Sequence, residues 1–407
     1  MSDRDAIVAT HRAALDMAAD APMLAQVRQW SAINSGSRNM DGLARQAGLL
    51  AEAFAMLPGA IDLVDAVPGE NVDAAGTIRP VAYGRHLHLR VRPEAPVQLV
   101  LTGHMDTVFA KDHPFQALTD LDGGAILNGP GVADMKGGIA VMLAALRGVE
   151  ASPLRERIGY EVVINSDEEI GSPGSAALIA RAAQGKLAAL TYEPSALPDG
   201  TLAGARPGSG NFSLIVSGRS AHAGRNPEDG RNALVAAADL ALRLYQARRP
   251  GLSINPAKID GGGPNNMVPD RAVLRVNLRP ALPEDQHAAE ALIAETIAAV
   301  KAAHGVTIHL HGGFGRPPKP LDARAQKLFA LVEDSAALLG RPIGHRPSGG
   351  VCDGNNIAAC GVPVVDTMGV RGGAIHSADE YLIVESLPER AMLSTLVMLR
   401  LAEGSAL

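Results

Sequence analysis

Aromatic residues make up only 3% of this 407-residue chain, with a single Trp, and cysteine occurs twice. An interior with so few rings must be filled by Ala, Val, Leu and Ile, which dominate the 47% hydrophobic share. Cys352 and Cys360 match no zinc-ligand or redox spacing, so no disulfide framework is implied. No apolar run reaches the roughly 18 residues that a membrane helix needs. No basic stripe exists either: Lys and Arg number 37 against 43 Asp and Glu, a net charge of −6. Nucleic acid and membrane are therefore not expected partners. The opening Met-Ser-Asp-Arg-Asp-Ala-Ile-Val lacks a basic stretch followed by an apolar one. A cytoplasmic location is expected, or a periplasmic one if a leader was removed.

What is present is an α/β pattern. At this length two domains are the prior, and Gly 44 and Pro 27 provide many turns. Amphipathic helix patterns cover 3–29, 41–57 and 322–340, and an Ala-rich apolar helix covers 137–149. Strands are expected at 61–67, 86–91, 97–102, 160–164, 187–192 and 362–367. The run Val-Gln-Leu-Val-Leu-Thr at 97–102 is apolar throughout, as in a strand covered on both faces. From 211 to 311 the order becomes strand, helix, strand, strand, helix, strand, the split βαβ arrangement. It predicts an α+β, ferredoxin-like domain at 208–316 inserted into a larger domain formed by 1–207 and 317–407.

Three of the apolar strands run into residues that can bind metal. The first delivers His104 in Gly-His-Met-Asp-Thr, the second Glu168 and Glu169, and the third Glu193 before a proline. Open α/β sheets place ligands at such strand ends. Asp134 stands in a glycine-rich turn ahead of the apolar helix, and His376 in Ala-Ile-His-Ser-Ala-Asp-Glu. Two imidazoles and three carboxylates can hold two divalent ions if one carboxylate bridges them, and such a pair activates water for hydrolysis. Asp106, two residues beyond His104 on the same side of an extended strand, is placed to hold the second ring nitrogen. Alternation sets Glu168 and Glu169 on opposite sides, so one suits metal binding and the other general-base work.

These segments, in this order, resemble the M20 family of dinuclear zinc peptidases and deacylases, nearest its glutamate carboxypeptidase branch. The resemblance runs from about residue 25 to the C-terminus. It implies a catalytic domain with a mixed central sheet flanked by helices, and a dimerisation or lid domain at 208–316. It implies two Zn²⁺ per subunit, replaceable by Co²⁺ or Mn²⁺, held by His104, Asp134, Glu169, Glu193 and His376. Asp134 would bridge the ions and precede a cis peptide. Glu168 would be the general base and Asp106 the orienter of His104. His222 would come from the partner subunit of a homodimer to hold the oxyanion. Asn266 and Arg279 would bind the terminal carboxylate or the scissile carbonyl, with hinges near Gly208 and Pro317. Glu rather than Asp at 193 favours the carboxypeptidase or deacylase branch. The implied substrate is a short peptide or N-acyl amino acid, cleaved to release a C-terminal Glu or Asp. The alternative is a deacetylase or desuccinylase of the acetylornithine or diaminopimelate type. Beside the substrate the family often has Gly-Gly-Thr-Asp-Ala. This chain keeps Gly349, Gly350 and Asp353 but has Cys352 and Gly354 at the other places, a departure that bears on the exact leaving-group pocket and not on the catalytic class.

Overall fold

The computed structural model describes residues 3–407. Its central sheet has the order Ala60–Val64, His86–Val91, Ile158–Asn165, Val97–His104, Ala188–Thr191, Val364–Val365. The first two joins are antiparallel and the other three parallel, so the sheet is mixed. The parallel strands are the apolar runs of the sequence, because helices cover both of their faces. Helix Gly138–Ala151 lies on the sheet, and helices Arg12–Ala19 and Ser386–Ala402 lie on it in turn, which buries it nearly all round. Glycine permits that approach: a Cβ on Gly138 would sit 1.9 Å from the carbonyl oxygen of Tyr192.

Chain from both sides of residues 209–316 builds this core, with Trp30, Leu101, Met142, Val332 and Val397 in one buried cluster. The intervening segment forms its own antiparallel sheet, ordered Leu252–Gly261, Arg271–Pro280, Ser209–Ser217, Thr307–Arg316. Helices Ala233–Gln246 and Pro283–His304 pack on it around Leu214, Leu240, Leu274 and Ile293. Where the chain passes between the two parts, Arg206 and Lys319 pair, each backbone N–H donating to the other's carbonyl at 2.9 Å.

The N-terminal helical pattern resolves into three helices, Asp3–Thr10, Arg12–Ala19 and Met23–Ser31. The strand expected to end at residue 311 continues to Arg316, and the one expected at 362–367 is only Val364–Val365. A small sheet of Gly372–Gly373, Tyr381–Ile383, Ile126–Asn128 and Thr119–Leu121 has no counterpart in the sequence pattern. Strands of two or three residues are too short to show alternation. No helix among the described residues is long and apolar enough to cross a membrane.

Candidate metal centre

The parallel strands Ile158–Asn165, Val97–His104 and Ala188–Thr191 end side by side. His104 is the last residue of the middle one, Glu168 and Glu169 open the tight turn Glu168–Ile170, and Glu193 lies just past Thr191. Asp134 reaches the same place from the turn Val132–Gly137, and the Asp134–Met135 peptide is cis. That turn is fixed by Glu380, whose buried carboxylate accepts the backbone N–H groups of Gly131 at 3.2 Å and of Ala133 and Asp134 at 3.0 Å. His376 stands in the loop between Gly372–Gly373 and Tyr381–Ile383, with a left-handed φ of 64°. Non-glycine residues rarely adopt that backbone, and the small sheet holds it there.

Asp134 lies at the middle of the cluster. Its Oδ1 is 3.0 Å from His104 Nε2 and its Oδ2 is 3.3 Å from His376 Nε2. His104 also faces Glu193 at 3.8 Å, and His376 faces Glu169 at 3.3 Å. One carboxylate thus presents an oxygen to each of two imidazole–carboxylate pairs. Donor atoms of His104, Asp134 and Glu169 lie within 4.8 Å of one another, as do those of His104, Glu168 and Glu193.

The electrostatics call for positive charge. Burial opposes a proton on His104, but the facing Asp106, Asp134 and Glu193 outweigh it and hold its pKa well above the ordinary histidine value. Hydrogen bonds to Asp134 and Glu169 push His376 up to about 10. Burial, with Asp134 adding, pushes Glu169 up to about 8. Carboxylates crowded in a dry site must be protonated, paired or bound to a cation. This donor set of two His and several carboxylates fits a pair of first-row divalent ions.

The structure refines the part of Asp106. His104 Nδ1 is 3.0 Å from the backbone carbonyl of Asp106 and 3.5 Å from its carboxylate. The carboxylate instead accepts from Ser37 Oγ at 2.7 Å and from the backbone N–H groups of Glu168 at 3.1 Å and Glu169 at 3.2 Å. It therefore anchors the turn that carries both glutamates, while the ring is held mainly by main chain. Glu168 is paired with Arg316, whose Nη2 donates to its Oε1 at 2.7 Å. Burial raises the Glu168 pKa well above the usual carboxylate range, against the pull of Arg316.

A cavity of about 1140 Å³ opens over this cluster, lined by Asp134, Glu168, Glu169, Glu193 and His376 on one side and by Asn277 and Arg279 on the other. Arg279 donates to Asn277 Oδ1 at 3.1 Å and to the Gly349 carbonyl at 2.9 Å, both neutral acceptors. The Gly350 carbonyl accepts from Arg206 at 3.1 Å.

The signature described as "Peptidase family M20/M25/M40" matches residues 100–400. The chain belongs to this family. It is 31% identical to carboxypeptidase G2 of Pseudomonas sp. (strain RS-16) over 331 residues, covering 80% of this chain and 79% of that protein. It is 31% identical to a succinyl-diaminopimelate desuccinylase of Xylella fastidiosa (strain M23), over 72% of this chain and 81% of the relative. A Bacillus subtilis protein described as a dinuclear metal binding peptidase of family M20 shares the fold, with a TM-score of 0.65 at 16% identity over 94% and 98% of the two chains.

As an M20 enzyme, the chain is a metal-dependent peptidase or amidohydrolase. Within the single chain, two residues that the family resemblance puts in the site, His222 from a partner subunit and Asn266, stand away from it. His222 and Asn266 are exposed and do not line the cavity. His222 Nδ1 accepts from the backbone of Gly224 and Arg225, at 3.1 and 3.2 Å. Conversely, Arg316 and Glu380 gave no signal in the sequence. Arg316 closes the last strand of the inserted sheet and also pairs with Asp353, the acidic residue that follows Cys352. Glu380 stands four residues beyond His376, in a stretch that reads as a polar loop.

Proposed function

We propose that this enzyme is a zinc-dependent hydrolase that releases an acidic amino acid, Glu or Asp, from the C-terminus of a short peptide or an N-acyl amino acid. The observation that carries this reading is Arg279. Among the cavity arginines, Arg206 is bound by both oxygens of Asp366, Arg275 by Asp260, and Arg316 by Glu168 and Asp353. Arg279 and Arg38 make no ion pair among the described residues; Arg279 is the less exposed of the two, is held only by neutral acceptors, and its fork suits a substrate carboxylate.

His104, Asp134 and Glu193 would hold one ion, and Asp134, Glu169 and His376 the other. Bound there, the ions supply Lewis acidity to the amide carbonyl and acidify water. Glu168, largely buried at the cavity floor and with a raised pKa, takes the proton of the attacking water and returns it to the departing amine nitrogen. Asp106 and Glu380 keep the glutamate and aspartate turns in place through backbone hydrogen bonds. Arg279 fixes the substrate's terminal carboxylate and so the register of the scissile bond. The desuccinylase relatives favour a second reading, deacylation of an N-acyl diamino acid. Its cationic leaving group would need free carboxylates, and outside the donor cluster the cavity offers Glu70.

A panel of N-acyl amino acids and dipeptides, incubated with zinc-loaded protein and assayed for free amino acid, separates the two. Release of Glu or Asp in preference to neutral or basic residues is the expected result. Preferential release of ornithine or diaminopimelate would reject it.

We further propose a homodimer formed through residues 208–316, in which His222 of one subunit completes the site of the other. In support, Val235, Leu242 and Tyr245 are 51%, 55% and 46% exposed. Spaced seven and three residues apart on helix Ala233–Gln246, they share one face. Mixing inactive Glu168→Gln with inactive His222→Ala should partly restore turnover, because a mixed dimer contains one intact composite site. No recovery despite demonstrated subunit exchange would show that His222 does not act across an interface.

A further inference from the structure

A second hollow, of about 540 Å³, adjoins the metal centre and is lined by Ser37, Arg38, Asp41, Lys111, Glu169 and Ile170 among others. Arg38, Glu169 and Ile170 also line the large cavity. The two hollows are therefore adjacent, with a carboxylate of the donor cluster in the wall they share. A substrate whose amide lies at that cluster has room on both sides of it.

The second hollow is cationic. Arg38 is exposed, its guanidinium 5.4 Å from the centre of the Tyr83 ring, and it pairs with no carboxylate among the described residues. Lys111 has only a loose contact with Asp41, at 3.6 Å with the two side chains 70% and 88% exposed. Such a pair is worth little and reorganises readily. Glu169 belongs to the metal cluster, so its charge is spent there. Two cations thus face this hollow against one solvated aspartate.

We propose that the second hollow is the acyl-side subsite, and that Arg38 and Lys111 make it select an acyl group that carries a carboxylate. This rests on the reading above, with the amino-acid half of the substrate held in the large cavity by Arg279. The acyl half then extends past Glu169 toward Arg38. The substrate class becomes N-acyl amino acids and peptides with negative charge on both sides of the scissile amide: a dicarboxylic acyl group, or an acidic residue at the penultimate position. Arg38 is a specificity residue in this account and takes no part in the chemistry.

The test measures binding apart from turnover. N-succinyl-glutamate and N-butyryl-glutamate differ by one carboxylate at nearly constant size. Both are titrated by calorimetry into zinc-loaded Glu168→Gln protein, alone and combined with Arg38→Gln or with Arg38→Gln and Lys111→Gln together. The succinyl compound is expected to bind about tenfold more tightly, the effect of one charge-assisted contact in a half-open cleft. The advantage should shrink in Arg38→Gln, vanish in the triple variant, and weaken as salt is raised. Equal binding of the two compounds, a preference that survives both substitutions, or binding of neither would overturn the proposal. Failure of zinc-loaded native protein to hydrolyse any acylated amino acid would instead overturn the amidohydrolase reading, which the binding ratio does not measure.

Discussion

Glu168→Gln should lower kcat by about 10²–10⁴-fold, the usual cost of losing a general base, while both metal ions stay bound. The substitution keeps the shape of the side chain and an oxygen for the 2.7 Å hydrogen bond from Arg316. Arg316 also retains Asp353 and Asn356 as partners, so the buried guanidinium is not stranded and the fold should hold. What is lost is the ability to take a proton. A carboxyl whose pKa is raised by burial is matched to accept a proton from acidified water and to give it up to an amine near neutral pH. KM should change little, because the effect falls on the transition state. Steady-state kinetics with metal analysis of the same preparation decide the matter. A variant that retains near-normal kcat would remove Glu168 from the mechanism, and one that loses metal would make it a ligand.

The neighbouring substitution should fail differently. Glu169→Gln replaces a carboxylate that lies 3.3 Å from His376 and is crowded by Asp134. An amide oxygen is a weaker ligand for a first-row divalent ion than a carboxylate. The variant should lose metal from two ions per chain to one or none, and activity with it. Chelation of the native protein should likewise abolish turnover, and Zn²⁺ or Co²⁺ should restore it. Chelation should also lower the thermal midpoint, since ions that bind only the folded state stabilise it by mass action. The dinuclear assignment fails if Glu169→Gln keeps two ions and full activity, or if active native protein contains well under two ions per chain.

The contrast between these neighbours was partly legible in the sequence. An acidic pair after an apolar strand reads as two side chains with separate jobs, although the alternation behind that reading does not apply: the strand ends at Asn165 and both glutamates stand in the turn Glu168–Ile170. The division of labour came from the family resemblance, and the structure adds different surroundings: Glu168 meets Arg316 and Glu169 meets His376. Asp106 shows where local reasoning stops. Its spacing from His104 places it by the ring, and its backbone carbonyl is there at 3.0 Å. Its carboxylate is nonetheless drawn to three donors from Ser37, Glu168 and Glu169, remote in sequence.

By itself the sequence determined the elements that carry His104, Glu168, Glu169 and Glu193, because buried parallel strands, the residues that end them and the turns that follow are local features. Continuous apolar runs ending in His104, in Glu168 and Glu169, and in Glu193 announce strands whose ends converge. The tertiary structure alone decided how those donors are held. Arg316 is 148 residues from Glu168, and Glu380 is 246 from Asp134. His376 is aimed by a hairpin of strands too short to leave a period. Arg38 and Lys111 come to the same hollow from separate loops. An isolated Arg or Glu in a sequence looks like a solvated surface residue. The charges of Arg316 and Glu380 acquire their roles only when folding removes the water and brings a partner from a distant segment, and that pairing has no periodicity to betray it.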